Sequence, residues 1–425
     1  MTLDRSRAPE FKIPEKITHV KPIKRVLTNG VPLFFIHTPH IDAVKIEVIT
    51  AANNGLLMTD KALVPFFTLH MLLEGTKSLK SEQIDNFFDH YASEVDVVSN
   101  FEQSGLSLLT TKKHFSQVLP LFRSLFTEAI FPEKELAKRK SQKELSISLN
   151  REQNGARANQ LYRKGLFGKD HPYGFIAEEA DVKRINREDL DHFYRHGFLV
   201  NPEIFVTGNL QESDLDAIEE LFRDLHVVQG DDPLPFFEKP VDKRIFEPNE
   251  KSVQSSIRLG QHLIPKSHPD YQALTVFNTI LGGYFGSRLI KNIREEKGHT
   301  YGIYSSIGSL NLSDYWMVMA DVQQGFSEEV INEVYKEIDT LKNTPIDLSE
   351  QEVVRNYMIG NLLSSFSSPF DLMTRFKNVH QHGLDYRFYE EQLDFVKTFT
   401  PEDIMDIGTR YFNRENIFEV VVGTT

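Results

Sequence analysis

The chain contains no cysteine, which excludes disulfides, thiolate metal ligands and a cysteine nucleophile, so any metal site has to be assembled from His, Asp and Glu. It has no apolar run approaching the length that crosses a bilayer. The opening MTLDRSRAPEFKIPEK is charged throughout; no apolar stretch leads to a small-residue cleavage site, so no secretory signal is read there and a cytoplasmic location is expected. Positive charge is in deficit, with 48 Lys+Arg against 61 Asp+Glu and a net charge of -13. That balance argues against nucleic-acid or anionic-membrane partners and suits peptides.

What is present is the composition of a globular protein: 40% hydrophobic, 11% aromatic and 26% charged residues. A length of 425 residues exceeds one ordinary core and predicts two large domains. In the first half, residues 25–36 read as strand, turn, strand around Asn29-Gly30, a pair suited to a tight hairpin. A third strand is expected over 43–50. A continuous apolar helix is expected over 63–73, ending at Gly75, and a second over 81–91 with Ser81 as its N-cap. Strands over 93–99 and 104–111 and helices over 115–129 and 134–149 complete an α+β pattern.

The segment VVQGDDPLPFFEKPV at 227–241 has no helical or strand period and is read as a linker. The expected organisation is a lead over 1–16, a domain over 17–226, this linker, and a domain over 242–425. An internal echo supports the division. The stretch Arg187-Glu188-Asp189-Leu190 leading to Glu203–Gly208 resembles Pro401-Glu402-Asp403-Ile404 leading to Ile417–Gly423, as duplication of one domain would produce.

Chemistry concentrates at Ala62–Thr76, ALVPFFTLHMLLEGT. This stretch resembles the signature of the insulinase/pitrilysin family of zinc peptidases, in which an H-x-x-E-H helix runs into M-L-F-x-G-T. The resemblance extends over nearly the whole chain: the N-terminal hairpin, the region of Glu144, the turn His171-Pro172-Tyr173-Gly174, the helix and strand after Glu188, and Gly282-Gly283 through Tyr301. It implies two homologous α+β lobes, each a mostly antiparallel sheet with helices packed on it, facing each other across a chamber. In such enzymes two His at i and i+4 bind one zinc from one helix face, a Glu beside the second His is the general base, and a distant Glu is the third ligand. Carried over, the first His falls on Phe66, the general base on Leu69, the second His on His70 and the distant Glu on Glu144. Carbon at Phe66 and Leu69 can neither ligate a metal nor take a proton. The resemblance therefore implies no bound metal, with His70 and Glu144 as vestiges; a core or hydrogen-bonded role for His70 and a solvated face or a bond to His70 for Glu144 are the plain alternatives. A different site joining Glu74 to His70 and Glu144 is a further option, weakened by the place of Glu74 at a helix end.

In the second half, LGGYFGSRLI at 281–290 and IREEKGHTYG at 293–302 resemble the family's C-terminal signature. The resemblance implies that Arg294 and Tyr301 correspond to an Arg and a Tyr that reach the bound peptide. A guanidinium can grip a carboxylate or carbonyl, and a phenol can donate to an oxyanion. Read without the family, Arg294 is a surface ion-pair residue and Tyr301 the start of a strand. The glycines at 282, 283 and 286 lack the spacing of a phosphate loop, His171 reads as a turn residue, and His192, His196 and His380 show no ligand spacing.

The expected function is that of a noncatalytic subunit, of the mitochondrial-processing-peptidase type, in a two-chain zinc endopeptidase acting on extended or unfolded peptides. Its partner would be a homologous catalytic subunit that carries the zinc, with a homodimer as the other arrangement. The alternatives are a structural or binding member without a peptidase role and, last, a stand-alone metallopeptidase with unorthodox ligands.

Overall fold

A computed structural model of the chain describes residues 14–51, 61–228, 230 and 243–424. The expected lead up to residue 13 and most of the expected linker lie outside the described residues.

The first half builds a six-stranded sheet from Ile23–Val26 (β1), Pro32–His37 (β2), Ala43–Ala51 (β3), Glu94–Ser99 (β4), Gln103–Thr111 (β5) and Glu203–Gly208 (β6), in the order β1-β2-β6-β3-β5-β4. The β1–β2 turn places Gly30 at φ +85°, backbone that a side chain disfavours. The second half builds a five-stranded sheet from Arg244–Pro248 (β7), Gln254–His262 (β8), Thr300–Gly308 (β9), Tyr315–Gln323 (β10) and Phe418–Gly423 (β11), in the order β7-β11-β8-β10-β9. The two orders match, strand for strand, once β1 is set aside. In each sheet the last strand of the half is inserted between a parallel neighbour and an antiparallel one: β6 between β2 and β3, and β11 between β7 and β8. The echo of 187–208 in 401–423 thus becomes a helix feeding a central strand twice over.

Helices of the first half are Val64–Met71 (α1), Ser81–His90 (α2), Phe115–Thr127 (α3), Glu133–Glu152 (α4), Asn154–Phe167 (α5), Glu179–Lys183 (α6), Arg187–His196 (α7) and Glu212–Phe222 (α8). Those of the second are Tyr271–Asn278 (α9), Ser327–Asn343 (α10), Leu348–Ser364 (α11), Pro369–His380 (α12), Arg387–Thr398 (α13) and Pro401–Tyr411 (α14). Each sheet buries one face under its own helices. Leu33, Ile46, Phe67, Leu106 and Phe122 pack together in one core, and Ile257, Phe277, Trp316, Val318 and Ile338 in the other.

The opposite face of each sheet is covered by a helix from the other half. α5 lies on β8 and β11, burying Ala158, Leu161 and Leu166 with Phe418, Val420 and Val422. α12 lies on β2 and β6, burying Met373 with Phe34, Ile36 and Phe205. Polar groups fix both crossings. Tyr162 Oη donates to Trp316 O at 2.7 Å. Arg157 forks onto Glu247 at 2.7 Å through each of two nitrogens, and Lys377 Nζ reaches the buried Glu47 at 2.7 Å.

Two local expectations change. The apolar helix stops at Met71, with Leu72 as its C-cap, and Gly75 instead bridges to Lys80. Lys80, not Ser81, is the N-cap of α2. The backbone N–H of Lys80 donates to Gln83 Oε1 at 3.0 Å, and the Ser81 hydroxyl donates to Glu74 Oε2 at 3.0 Å.

Candidate functional site

α1 opens with Pro65 in its first turn, where the missing N–H costs nothing and the ring presets φ. Its apolar sequence follows from burial on nearly all sides: Phe67, Thr68, Leu69 and Met71 have no exposed surface. Against it pack α7 and α4. Phe66 and His70, one turn apart, present their rings on one face with centroids 4.3 Å apart, as i and i+4 positions should. Leu69 faces the core.

α4 brings a second set of side chains to this face. Lys143 Nζ lies 3.9 Å from the centroid of the Phe66 ring, a cation–π contact. Arg139 Nε donates to Glu74 Oε1 at 2.6 Å, and Glu74 is only 3% exposed. Both oxygens of Glu74 are therefore committed, to Arg139 and to Ser81, which removes it from the alternative metal site with His70 and Glu144. Glu144 is half-buried on α4, and among the described residues no hydrogen bond joins it to His70. Burial, followed by the positive charges of Arg139 and Lys143, pushes the His70 pKa down to about 4, opposed by Glu74.

Zinc peptidases of the family that the sequence resembles hold their metal at this position, and the donor set of this chain does not suit one. Two of the positions are hydrocarbon, an ammonium covers Phe66, and among the described residues no group of three or more His, Asp or Glu could hold a metal ion.

The second set of expected residues lies on the other lobe. Arg294 belongs to the π-helical turn Ile290–Glu296, which packs against β9. Its guanidinium carbon is 4.7 Å from the Phe285 ring centroid, and it joins no ion pair among the described residues. Tyr301 near the start of β9 is 91% exposed. Among the described residues β9 is an edge strand, and Tyr301, Tyr304 and Phe285 are exposed along it; part of its backbone is committed, Ser305 O accepting from Asn278 Nδ2 at 3.2 Å and the Gly302 N–H donating to Thr300 Oγ1 at 3.1 Å, and an edge of this kind is where an extended chain can add. His171 behaves as the expected turn residue, with Nδ1 accepting from the Tyr173 N–H at 3.1 Å. His380, which has no ligand spacing in the sequence, places its Nε2 2.7 Å from Glu203 across the lobes; sequence spacing carries no signal for such a contact. Sequence reasoning also missed Lys143, which only the packing of α4 beside α1 reveals.

Among the described residues no helix is long and apolar enough to cross a membrane. Residues 184–358 match the family described as "Peptidase M16 inactive domain". Two relatives come from Bacillus subtilis. The chain is 22% identical over 354 residues to an uncharacterized zinc protease, YmxG, covering 82% of this chain and 85% of that protein. It is 23% identical over 389 residues to a probable inactive metalloprotease, YmfF, covering 83% and 87%. Among solved structures, a peptidase M16 inactive domain from Pseudomonas fluorescens superposes with a TM-score of 0.81 at 24% identity, covering 95% of this chain and 98% of that one. The periplasmic protease PqqL from Escherichia coli superposes at 0.77 and 15% identity, with all of this chain matching 48% of that longer one. The two-lobed fold is thus shared with these structures, and together the sequence matches support the insulinase, or M16, family for this chain.

Proposed function

We propose that this protein is the noncatalytic subunit of a two-chain zinc endopeptidase acting on extended or unfolded peptides, with Arg294 and Tyr301 offered to the substrate. The observation that carries the reading is the contrast between the two lobes. The helix that would hold metal and base has hydrocarbon at Phe66 and Leu69, whereas the opposite lobe keeps a solvent-facing Tyr301 on the edge strand β9 and, in the helical turn packed against that strand, Arg294 with no ion pair among the described residues. His70 and Glu144 are vestiges, and the zinc belongs to a homologous partner chain that retains H-x-x-E-H. Support for pairing comes from the longer PqqL chain, of which a unit the size of this protein accounts for about half. On this reading the two domains are residues 17–226 and 242–425, joined by 227–241, and the pair works in the cytoplasm.

The test is to mix the purified chain with a family member from the same genome that carries intact H-x-x-E-H, and to assay cleavage of an unstructured peptide. Activity should need both chains. Tyr301→Phe should lower kcat by roughly 100- to 1,000-fold, the range for removing one oxyanion donor, and Arg294→Ala should mainly raise KM. Cleavage that ignores both substitutions would instead favour a binding or structural member. Chelator-sensitive hydrolysis by the isolated chain would overturn the reading altogether.

A further inference from the structure

A cavity of about 560 Å³ opens beside α1, walled by that helix, by α4 and α5, by the β4–β5 turn and by the segment after Pro172. Among the described residues its lining contains two cations, Lys143 and Arg163, and no Asp or Glu. Neither cation forms an ion pair among the described residues. Each lies against an aromatic face instead: Lys143 against Phe66 at 3.9 Å, and Arg163, through its guanidinium carbon, against Phe101 at 4.9 Å. Arg163 Nε is shielded from solvent and has no hydrogen-bond partner among the described residues. An aromatic ring attracts a cation but cannot neutralise it or accept the in-plane N–H groups of a guanidinium, and among the described residues no acid stands on this wall to do so.

The rest of the lining mixes apolar side chains, among them Phe66, Ile147 and Phe175, with neutral polar ones: two Asn, three Ser and Gln160. A concave space of this volume lined by both aromatic and polar side chains has the size and form of a small-ligand site. The missing component is a negative charge carried on an apolar body.

We propose that this cavity binds a carboxylate attached to an apolar group, the carboxylate meeting Arg163 and Lys143 and the apolar group meeting the phenyl rings. A free carboxylic acid and the C-terminal residue of a peptide share this chemistry. Arg163 supplies the planar fork that suits a carboxylate, and Lys143 supplies a point charge. Binding needs no partner chain and no metal, so it stands or falls separately from the proposed subunit role.

The test is titration calorimetry of the full chain with N-acetyl-L-phenylalanine and with its amide, and with a tetrapeptide ending in Phe as the free acid and as the amide. The acid of at least one pair should bind, with its amide weaker by roughly tenfold or more, as loss of a charge-assisted pair implies. Binding of only the tetrapeptide acid identifies a chain terminus as the ligand; binding of both acids identifies any small carboxylate. Lys143→Met and Arg163→Gln should each weaken the acid and leave the amide unmoved. Equal affinity for acid and amide, or no binding of either acid, overturns the proposal, and that comparison uses the unaltered protein, so it does not depend on a variant folding.

Discussion

At the scale of single residues, position 69 shows how burial and chemistry exclude one another. Leu69 has no exposed surface and packs with Phe67 and Met71, so its side chain is a structural member of the first core. Leu69→Glu would bury an unpaired carboxylate, and we expect a loss of about 3–5 kcal/mol at pH 7, the range for a buried charge left without its partner. Urea midpoints at pH 7 and pH 5 check this: the deficit should shrink at the lower pH as the carboxyl takes up a proton. His382 carries the opposite sign. Both of its ring nitrogens are shielded and unpartnered among the described residues, and burial, helped by Lys266, pushes its pKa down to about 4. The folded state therefore resists protonating it, and its contribution to stability is lost as the pH falls from 6.5 to about 4. His382→Leu should unfold with a smaller difference between pH 7 and pH 4 than the parent, measured by the same midpoints.

At the scale of elements, the crossings of α5 and α12 explain sequence features that look unremarkable in isolation. Gly165 on α5 has no room for a side chain: a Cβ there would come within 2.1 Å of the Phe418 ring on β11. Gly165→Ala should push the helix off the sheet and cost about 1–3 kcal/mol, the usual penalty of overpacking. A double variant with Phe418→Leu should recover part of that loss, because the two sites share the contact. Thermal midpoints of the single and double variants decide it. The same geometry shows why α5 and α12 were hard to interpret from sequence. An amphipathic pattern reports that a helix has an apolar face, not whose sheet that face covers.

At the scale of the whole molecule, each lobe depends on a helix contributed by the other, so neither half has a complete core of its own. Calorimetry should accordingly give one unfolding transition, with van't Hoff and calorimetric enthalpies in agreement. Residues 1–226 expressed alone should bind an apolar dye and lack a near-ultraviolet dichroism signal, because Leu161 and Leu166 on α5 and Phe34 and Phe205 on the first sheet lose their covers. A cooperative, natively packed fragment would contradict that dependence.

The amino-acid order by itself determined the α+β class, the hairpin at Asn29-Gly30, the two-fold repeat and the hydrocarbon at Phe66 and Leu69. Each is a matter of local period, turn chemistry or side-chain type, which neighbours in the chain settle. Only the tertiary structure decided the partners. The pairing of Glu74 with Arg139, the ammonium of Lys143 on Phe66, the approach of His380 to Glu203 and the exchange of α5 and α12 all join residues far apart in the chain. The exchange of α5 and α12 forms because each sheet has a second apolar face, which among the described residues is covered by a helix from the other half; the Glu74 and Phe66 contacts form because α4 packs beside α1.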